Sequence, residues 1–403
     1  MNRKRGPRYY SDFLLLLLPA LVAVITTLSC KNNSLEEDFY LPADFHTSES
    51  IGFVWTSDFA GIVPRLAAII SSKDQVTIYT QEGENHDEIR SILTKYNGNM
   101  NNMSLVKTSN LPENYWIRDF GPCYTVNPQG EKKIIDFAYY GKDYGFNNEL
   151  ASRNGLQLEK SRINSTGGAR ESNGNGTLLI CESHENEANS RFTKAEIENE
   201  YKQKLNVRRI IWLKKGIPQD DNQANGPIFG EVYPNGLNGH IDEFCRFVNE
   251  KTVLISSVSD EDAQKHPIMA EAQKRLDENY EILKNSVDAD GKKLNIIKVP
   301  FAPLFVFEEK TTETTRLFTY VTSYLNFIIT NSFVIIPSYT SNVKDFNKQE
   351  YLMAEVKIKQ IFENIYPNKE IVQVQATELN RYGGGFHCIS INNPLAINQN
   401  KSY

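Results

Sequence analysis

The chain is short of cysteine and of charge of one sign, and each shortage excludes a class of protein. Five cysteines among 403 residues, at 30, 123, 181, 245 and 388, are too scattered for a disulfide scaffold. No Cys-x-x-Cys pair is present to hold a structural zinc. Lys plus Arg is 44 against 50 for Asp plus Glu, so a net charge of −6 gives no footprint for nucleic acid and better receives a cationic partner. No Gly- or Pro-rich linker divides the chain, and no repeat is visible by eye. What is present, 40% apolar and 23% charged residues, is globular composition, with length for one large domain or two ordinary ones.

The beginning of the chain differs from the rest. Arg3, Lys4, Arg5 and Arg8 precede an apolar run from Phe13 to Ile25, broken only by Pro19 and closed by Thr27-Leu28-Ser29-Cys30. This reads as an export signal. The run is shorter than the roughly 20 residues that span a bilayer as a helix. Its Leu-Ser-Cys ending resembles a bacterial lipobox, with Thr27 where Leu is usual, and implies lipidation of Cys30 and a membrane-anchored lipoprotein at a bacterial periplasmic or cell surface. Ordinary secretion or an uncleaved anchor is the alternative. Loss of 1–29 removes four basic residues and Asp12, leaving 40 basic against 49 acidic and a mature charge of −9. The expected layout is a signal over 1–29, a polar tether over 30–49, a folded domain over 50–395 and a tail over 396–403.

Beyond residue 50, β-rich runs alternate with helical patterns. Ile51–Trp55, Gln75–Thr80, Lys132–Tyr139, Thr177–Cys181, Arg208–Leu213, Thr252–Val258, Asn295–Val299, Ser332–Pro337 and Glu370–Gln375 have the Val, Ile, Thr and aromatic content of strands. Thr193 and Glu196 form a capping box that opens a helix to about Leu205, and helical patterns cover Asp260–Asn285 and Asp345–Ile365. The class is α/β or α+β in one domain. Glu182–Asn189 and Gln219–Asn225 read as solvated loops.

Three segments combine glycine with reactive side chains. In Asn114-Tyr-Trp116-Ile-Arg118-Asp119-Phe-Gly121-Pro122, an extended backbone would put Trp116 and Arg118 on one face and Asp119 on the other. An adjacent Arg and Asp more often make a structural ion pair. In Asn238-Gly-His240-Ile-Asp242-Glu243, a strand would aim His240 and Asp242 into the same space, where a carboxylate tunes an imidazole for proton transfer. His-x-Asp could also be half of a metal site, but no further His or Cys stands at a ligand spacing. In Gly383-Gly384-Gly385-Phe-His387-Cys388, the glycines let the backbone pass close to a ligand or simply turn ahead of a buried strand from Cys388 to Ile391. A cysteine so placed is a plausible nucleophile with His240 as its partner.

One cysteine, one histidine and two aspartates together suit a flat cation. Two carboxylates clamp a planar guanidinium by paired hydrogen bonds, and a thiolate adds to its carbon. A cysteine acyl hydrolase such as a protease is the other chemistry, and there the second carboxylate is surplus.

At these residues the sequence resembles the agmatine deiminase family, which includes the Porphyromonas-type peptidyl-arginine deiminases, within the guanidino-modifying superfamily. Trp-x-Arg-Asp-x-Gly-Pro, Gly-His-x-Asp and Gly-Gly-Gly-x-His-Cys occur in the family's order over roughly residues 50 to 395. Supporting matches are Gly167-Gly168 with Asn173-Gly-Asn-Gly-Thr177, Ile211-Trp-Leu213, Ser323-Tyr-Leu-Asn326-Phe327 and Val334-Ile-Ile-Pro337. The resemblance implies a pentein-type five-bladed α/β propeller with fivefold pseudosymmetry and a funnel on its axis. It implies Cys388 as nucleophile, His240 as general acid and base, and Asp119 and Asp242 as the guanidinium clamp, with Trp116, Asn326 and Gly385 lining the site. No metal or organic cofactor is implied.

Two positions depart from the family pattern: Thr166 stands where many agmatine deiminases have Glu, and Asn173 where Asp is common. A carboxylate at 166 would pair with the distal ammonium of agmatine. The insertion-like stretch from Gln219 to Asn238 delivers His240. The expected substrate is a small guanidine such as agmatine, with peptidyl-arginine or free arginine as the alternative. An exported binding protein without turnover is the reading from another class.

Overall fold

The computed structural model describes residues 39–56, 58–236, 239–310, 315–340 and 348–395. Cys30, the export signal and the 396–403 tail lie outside the described residues. Among the described residues, no helix is long and apolar enough to cross a membrane.

Helices and six small sheets make a mixed α/β fold, and five of the sheets repeat one strand pattern. A middle strand pairs antiparallel with one neighbour and parallel with the other. The middle strands are Ser48–Val54, Lys132–Ala138, Thr177–Cys181, Thr252–Ser257 and Phe333–Ser338. From each, the chain passes through one or two helices to the parallel neighbour, as parallel pairing requires. Thr177–Cys181 and Phe333–Ser338 are buried along their whole length, the pattern of strands covered on both faces. In four sheets the antiparallel neighbour directly precedes the middle strand: Cys123–Val126, Arg170–Ser172, Cys245–Asn249 and Ile328–Ile329. In the first sheet it is Ser390–Pro394, so the last strand of the domain pairs with its first. That sheet also carries Val76–Gln81 and Met103–Thr108. The sixth sheet, Val232–Tyr233 with Thr315–Thr319 and Val306–Lys310, lies outside the repeat.

Several expectations are corrected. The compact unit begins at Phe39 rather than at 50. Tyr40 exchanges backbone hydrogen bonds with Val126, and Asp44 pairs with Arg118 and Arg246, so the polar segment is folded against the domain by charges distant in sequence. The helical pattern at Asp260–Asn285 is two helices, Asp260–Lys265 and Pro267–Asn285. Pro267 lacks an N–H and keeps His266 extended, and the His266 ring caps the second helix through the Ile268 N–H. Glu182–Ala188 is a helix with His184 and Glu185 buried, not a solvated loop. Gln219 and Asp220 are buried as well.

Candidate active site

In each of the five repeated sheets, the turn just before the antiparallel strand carries residues of the site. Asp119 precedes Cys123–Val126, Gly167-Gly168 precede Arg170–Ser172, and His240 to Glu243 precede Cys245–Asn249. Asn326 precedes Ile328–Ile329, and Cys388 precedes Ser390–Pro394. One repeated local geometry therefore brings five distant segments to one place.

The local conformations differ from the expected strands. Ile117–Phe120 is a single helical turn, entered where Asn114 Oδ1 accepts from the Trp116 N–H at 2.8 Å. Arg118 does not pair with its neighbour Asp119 but with Asp44, at 3.2 Å. Ile241–Glu243 is a 3-10 turn with His240 as its N-cap residue. The last strand begins at Ser390, leaving Cys388 on the turn before it.

Gly168 is the centre of the constellation. Its N–H donates to Asp119 Oδ1 at 3.0 Å. A Cβ built on it would lie 2.9 Å from His240 Nδ1 and 3.0 Å from Asp242 Oδ2, so only glycine leaves these groups facing one space. Gly384 does the same for the thiol: a Cβ there would meet the Trp116 ring at 2.8 Å and Cys388 Sγ at 3.3 Å.

Cys388 Sγ lies 3.6 Å from Asp242 Oδ2 and 3.7 Å from Glu243 Oε1, and accepts from Asn326 Nδ2 at 3.2 Å. Asn326 also donates to Glu243 Oε1 at 2.8 Å, and its Oδ1 accepts from the His387 N–H at 2.8 Å. Gly385 packs on that amide: a Cβ there would come 2.5 Å from Asn326 Oδ1. His240 is held through its backbone, since the Gly239 and His240 N–H groups both donate to Asp220 Oδ2, at 2.9 and 2.6 Å. Its Nε2 is 3.1 Å from Thr166 Oγ1.

Asp119, Asp242, Glu243, His240 and Cys388 are all buried, and the charges set one another. Burial, reinforced by Asp242, Glu243 and Asp119, pushes the Cys388 thiol well above its ordinary range. Burial with Asp242 and Asp220 nearby likewise pushes the Glu243 carboxyl well above the ordinary range, and burial raises Asp119. Burial alone would lower His240, but the carboxylates of Asp119, Asp220 and Asp242 outweigh it and hold it above its usual value. For Asp242 burial is again opposed, here chiefly by the hydrogen bond to His387, and its carboxyl is held below the ordinary range. These residues thus make an acidic pocket around a thiol that burial and its neighbours hold against ionisation. A bound cation would stabilise the thiolate.

Among the described residues, the one group placed to share a metal ion is Asp242, Glu243 and Cys388, with ligand atoms within 4.8 Å of one another. Asp242 Oδ2, Glu243 Oε1 and Cys388 Sγ are engaged with His387 and Asn326, and the group brings no imidazole.

The structure brings together all seven residues expected to form or line the site. It adds Glu243, Asp220, Asp44 and His387. Glu243 and His387 stood inside the motifs without a role, whereas Asp220 lay in a stretch read as a solvated loop and Asp44 in the expected tether. Asn173 is elsewhere, its Oδ1 taking the Asn175 and Thr177 N–H groups in a loop ahead of the middle strand. Cys123, Cys181 and Cys245 are free thiols buried away from these contacts.

A family model described as Porphyromonas-type peptidyl-arginine deiminase matches residues 54–394. The chain belongs to this family. Among relatives in this family's range of names, the agmatine deiminase of Pseudomonas putida is 24% identical over 400 residues, covering 90% of this chain and 97% of its own. That of Pseudomonas fluorescens is 24% identical over 394 residues, covering 89% and 96%. The fold is shared with the solved agmatine deiminase of Enterococcus faecalis, at a TM-score of 0.69 and 21% identity over 89% of this chain and 96% of that one. It is shared also with the C. jejuni agmatine deiminase with substrate bound, at a TM-score of 0.67 and 21% identity over 88% and 96%.

Proposed function

We propose that the chain is a guanidino deiminase, a hydrolase of C–N bonds that converts a guanidinium and water into a ureido group and ammonia. The observation that carries this reading is the buried thiol of Cys388 lying 3.6 Å from Asp242 and 3.7 Å from Glu243, with Asp119 and His240 brought to the same space at Gly168. Asp119 and Asp242 clamp the guanidinium, whose charge lowers the thiol beside it so that the thiol yields its proton to His240 and becomes the thiolate. Sulfur bonds to the guanidinium carbon, and the leaving nitrogen takes a proton from His240 and departs as ammonia. The remaining thiouronium is attacked by water that gives its proton to neutral His240, and the C–S bond breaks to return the thiol. Asn326, bonded to Sγ, steadies the sulfur through both steps. The five repeated sheets, each lending a turn to the site, support a five-bladed propeller with the site on its axis.

Agmatine is the proposed substrate, giving N-carbamoylputrescine, in line with the names of the relatives above. Thr166 favours a second reading: a hydroxyl already against His240 offers no carboxylate to a distal ammonium, which suits peptidyl arginine, whose α-nitrogen is an uncharged amide, with citrulline as product. Ammonia and ureido product are measured with agmatine, free arginine and a C-terminal-arginine peptide. Turnover of agmatine above the other two is the expected result. Tight agmatine binding with no turnover of any of them would leave a binding protein.

We also propose export and tethering through Cys30, supported by the basic start and apolar run before it. Cys30→Ser is expected to lose metabolic palmitate label and move from the membrane to the soluble fraction. A membrane-bound, unlabelled wild-type chain would sink the lipid anchor.

A further inference from the structure

His387 has both ring nitrogens committed to carboxylates. Nδ1 lies 2.6 Å from Asp242 Oδ2, and Nε2 lies 2.6 Å from Asp44 Oδ2. Its main chain is held as firmly, with the N–H on Asn326 Oδ1 and the carbonyl accepting from Ser390 Oγ at 3.1 Å. Asp44 is in turn shared by two guanidiniums, Arg118 Nη1 at 3.2 Å and Arg246 Nη2 at 3.0 Å. Arg246 is fully buried, paired with Glu171 at 3.0 Å, and donates to the Leu325 and Phe327 carbonyls. A continuous hydrogen-bonded line therefore runs from the N-terminal segment through an imidazole to one half of the clamp.

That line takes only one oxygen of Asp242. Oδ2 is occupied by His387, while Oδ1 is buried without a hydrogen-bond partner. A buried carboxylate oxygen left bare is costly unless a ligand satisfies it. A carboxyl free to rotate about its last torsion would lose this asymmetry, since that torsion is broad and roughly two-fold.

We propose that Asp44 and His387 are positioning residues that fix the Asp242 carboxyl so that Oδ1 faces the substrate guanidinium. The inference rests on the deiminase reading. It makes the segment ahead of the first strand part of the active-site scaffold, although no residue of it touches the thiol.

The test is chemical labelling of Cys388 in the full chain, which needs no turnover. One reagent is 2-chloroacetamidine, whose amidinium the clamp must hold. The other is neutral iodoacetamide, and each rate is divided by that with free cysteine. In the wild type the amidinium reagent is expected to be favoured. His387→Gln puts its amide near the Nε2 position and loses the donor to Asp242, whereas His387→Asn keeps an N–H near Nδ1. The amidinium preference should fall about 10- to 100-fold in His387→Gln, as for other partners that orient a binding ligand, and by a smaller, matching factor of about 3- to 10-fold in Asp44→Asn and His387→Asn, each of which keeps a donor on Asp242 Oδ2 and loses the link to the Asp44 carboxylate. A general structural role would slow both reagents together and leave the ratio alone. An unchanged ratio in His387→Gln, or an equal loss in His387→Asn, overturns the proposal. A wild type with no amidinium preference overturns the guanidinium-site reading instead. Should Asp44→Asn not fold, the His387 pair decides.

Discussion

Cys388→Ala is expected to release no ammonia from any guanidino substrate, a fall of at least about 10⁴-fold, as when a covalent nucleophile is removed. The fold should survive, because Cys388 is a small buried side chain whose partner Asn326 has a second bond of its own. Asn326 keeps its bond to Glu243 in the variant. The electrostatics make a companion result. A thiol held well above its ordinary range by burial and three neighbouring carboxyl groups is neutral at pH 7, so labelling of the wild type by a neutral reagent should be slow there and rise with pH. A cation in the pocket acts in the opposite sense, lowering the thiol and speeding its reaction at neutral pH. Turnover by Cys388→Ala above the uncatalysed rate would remove Cys388 from the nucleophile's role, and pH-independent labelling would contradict the charge environment.

Arg246→Ala is expected to cost about 3–5 kcal/mol of stability, the size seen when one partner of a buried ion pair is removed. The guanidinium is fully buried between Asp44 and Glu171 and serves two backbone carbonyls, none of which water replaces once the side chain is gone. Arg246→Lys keeps the charge but not the fork and should fall between the two. The loss should also depend on pH. Burial pushes Glu171 up from 4.5 to about 7 in spite of Arg246. The folded state therefore binds a proton there more tightly than the unfolded chain, and stability from this group falls as pH rises from about 4.5 to 7. Without Arg246 the carboxyl rises further, so denaturant unfolding should show a larger deficit at pH 8 than at pH 5.5. An equal deficit at both, or one below about 1 kcal/mol, would mean the pair is solvated rather than buried.

Much of the scaffold is legible because its signal is local. The middle strands are dense in β-branched and aromatic residues, and Thr177–Cys181 and Glu370–Gln375 have the boundaries their composition indicates. The Thr193 capping box is present as a reciprocal pair of hydrogen bonds. Less apolar strands escape the same reading: Gln157–Asn164 is mostly polar, and Arg170–Ser172 has three residues. Their strand character comes from pairing with a neighbour already in place. The misread Glu182–Ala188 shows the converse, since its buried Glu185 is satisfied by Tyr201 and Asn189, the former sixteen residues away.

The proposed reactive groups, Asp119, His240, Asp242 and Cys388, stand out in the sequence by residue type and glycine spacing, because a thiol, an imidazole and paired carboxylates have few uses in common. Tertiary structure alone decided that the turns before five different strands would meet, and that Asp44 and Asp220, from segments that look like tether and loop, would reach His387 and the His240 backbone. A carboxylate's partner is chosen by distance in space, and Asp44 finds His387 from 343 residues away. No local pattern carries that pairing, whereas the part-buried Asp44 charge, met by Arg118, Arg246 and the His387 ring, requires it.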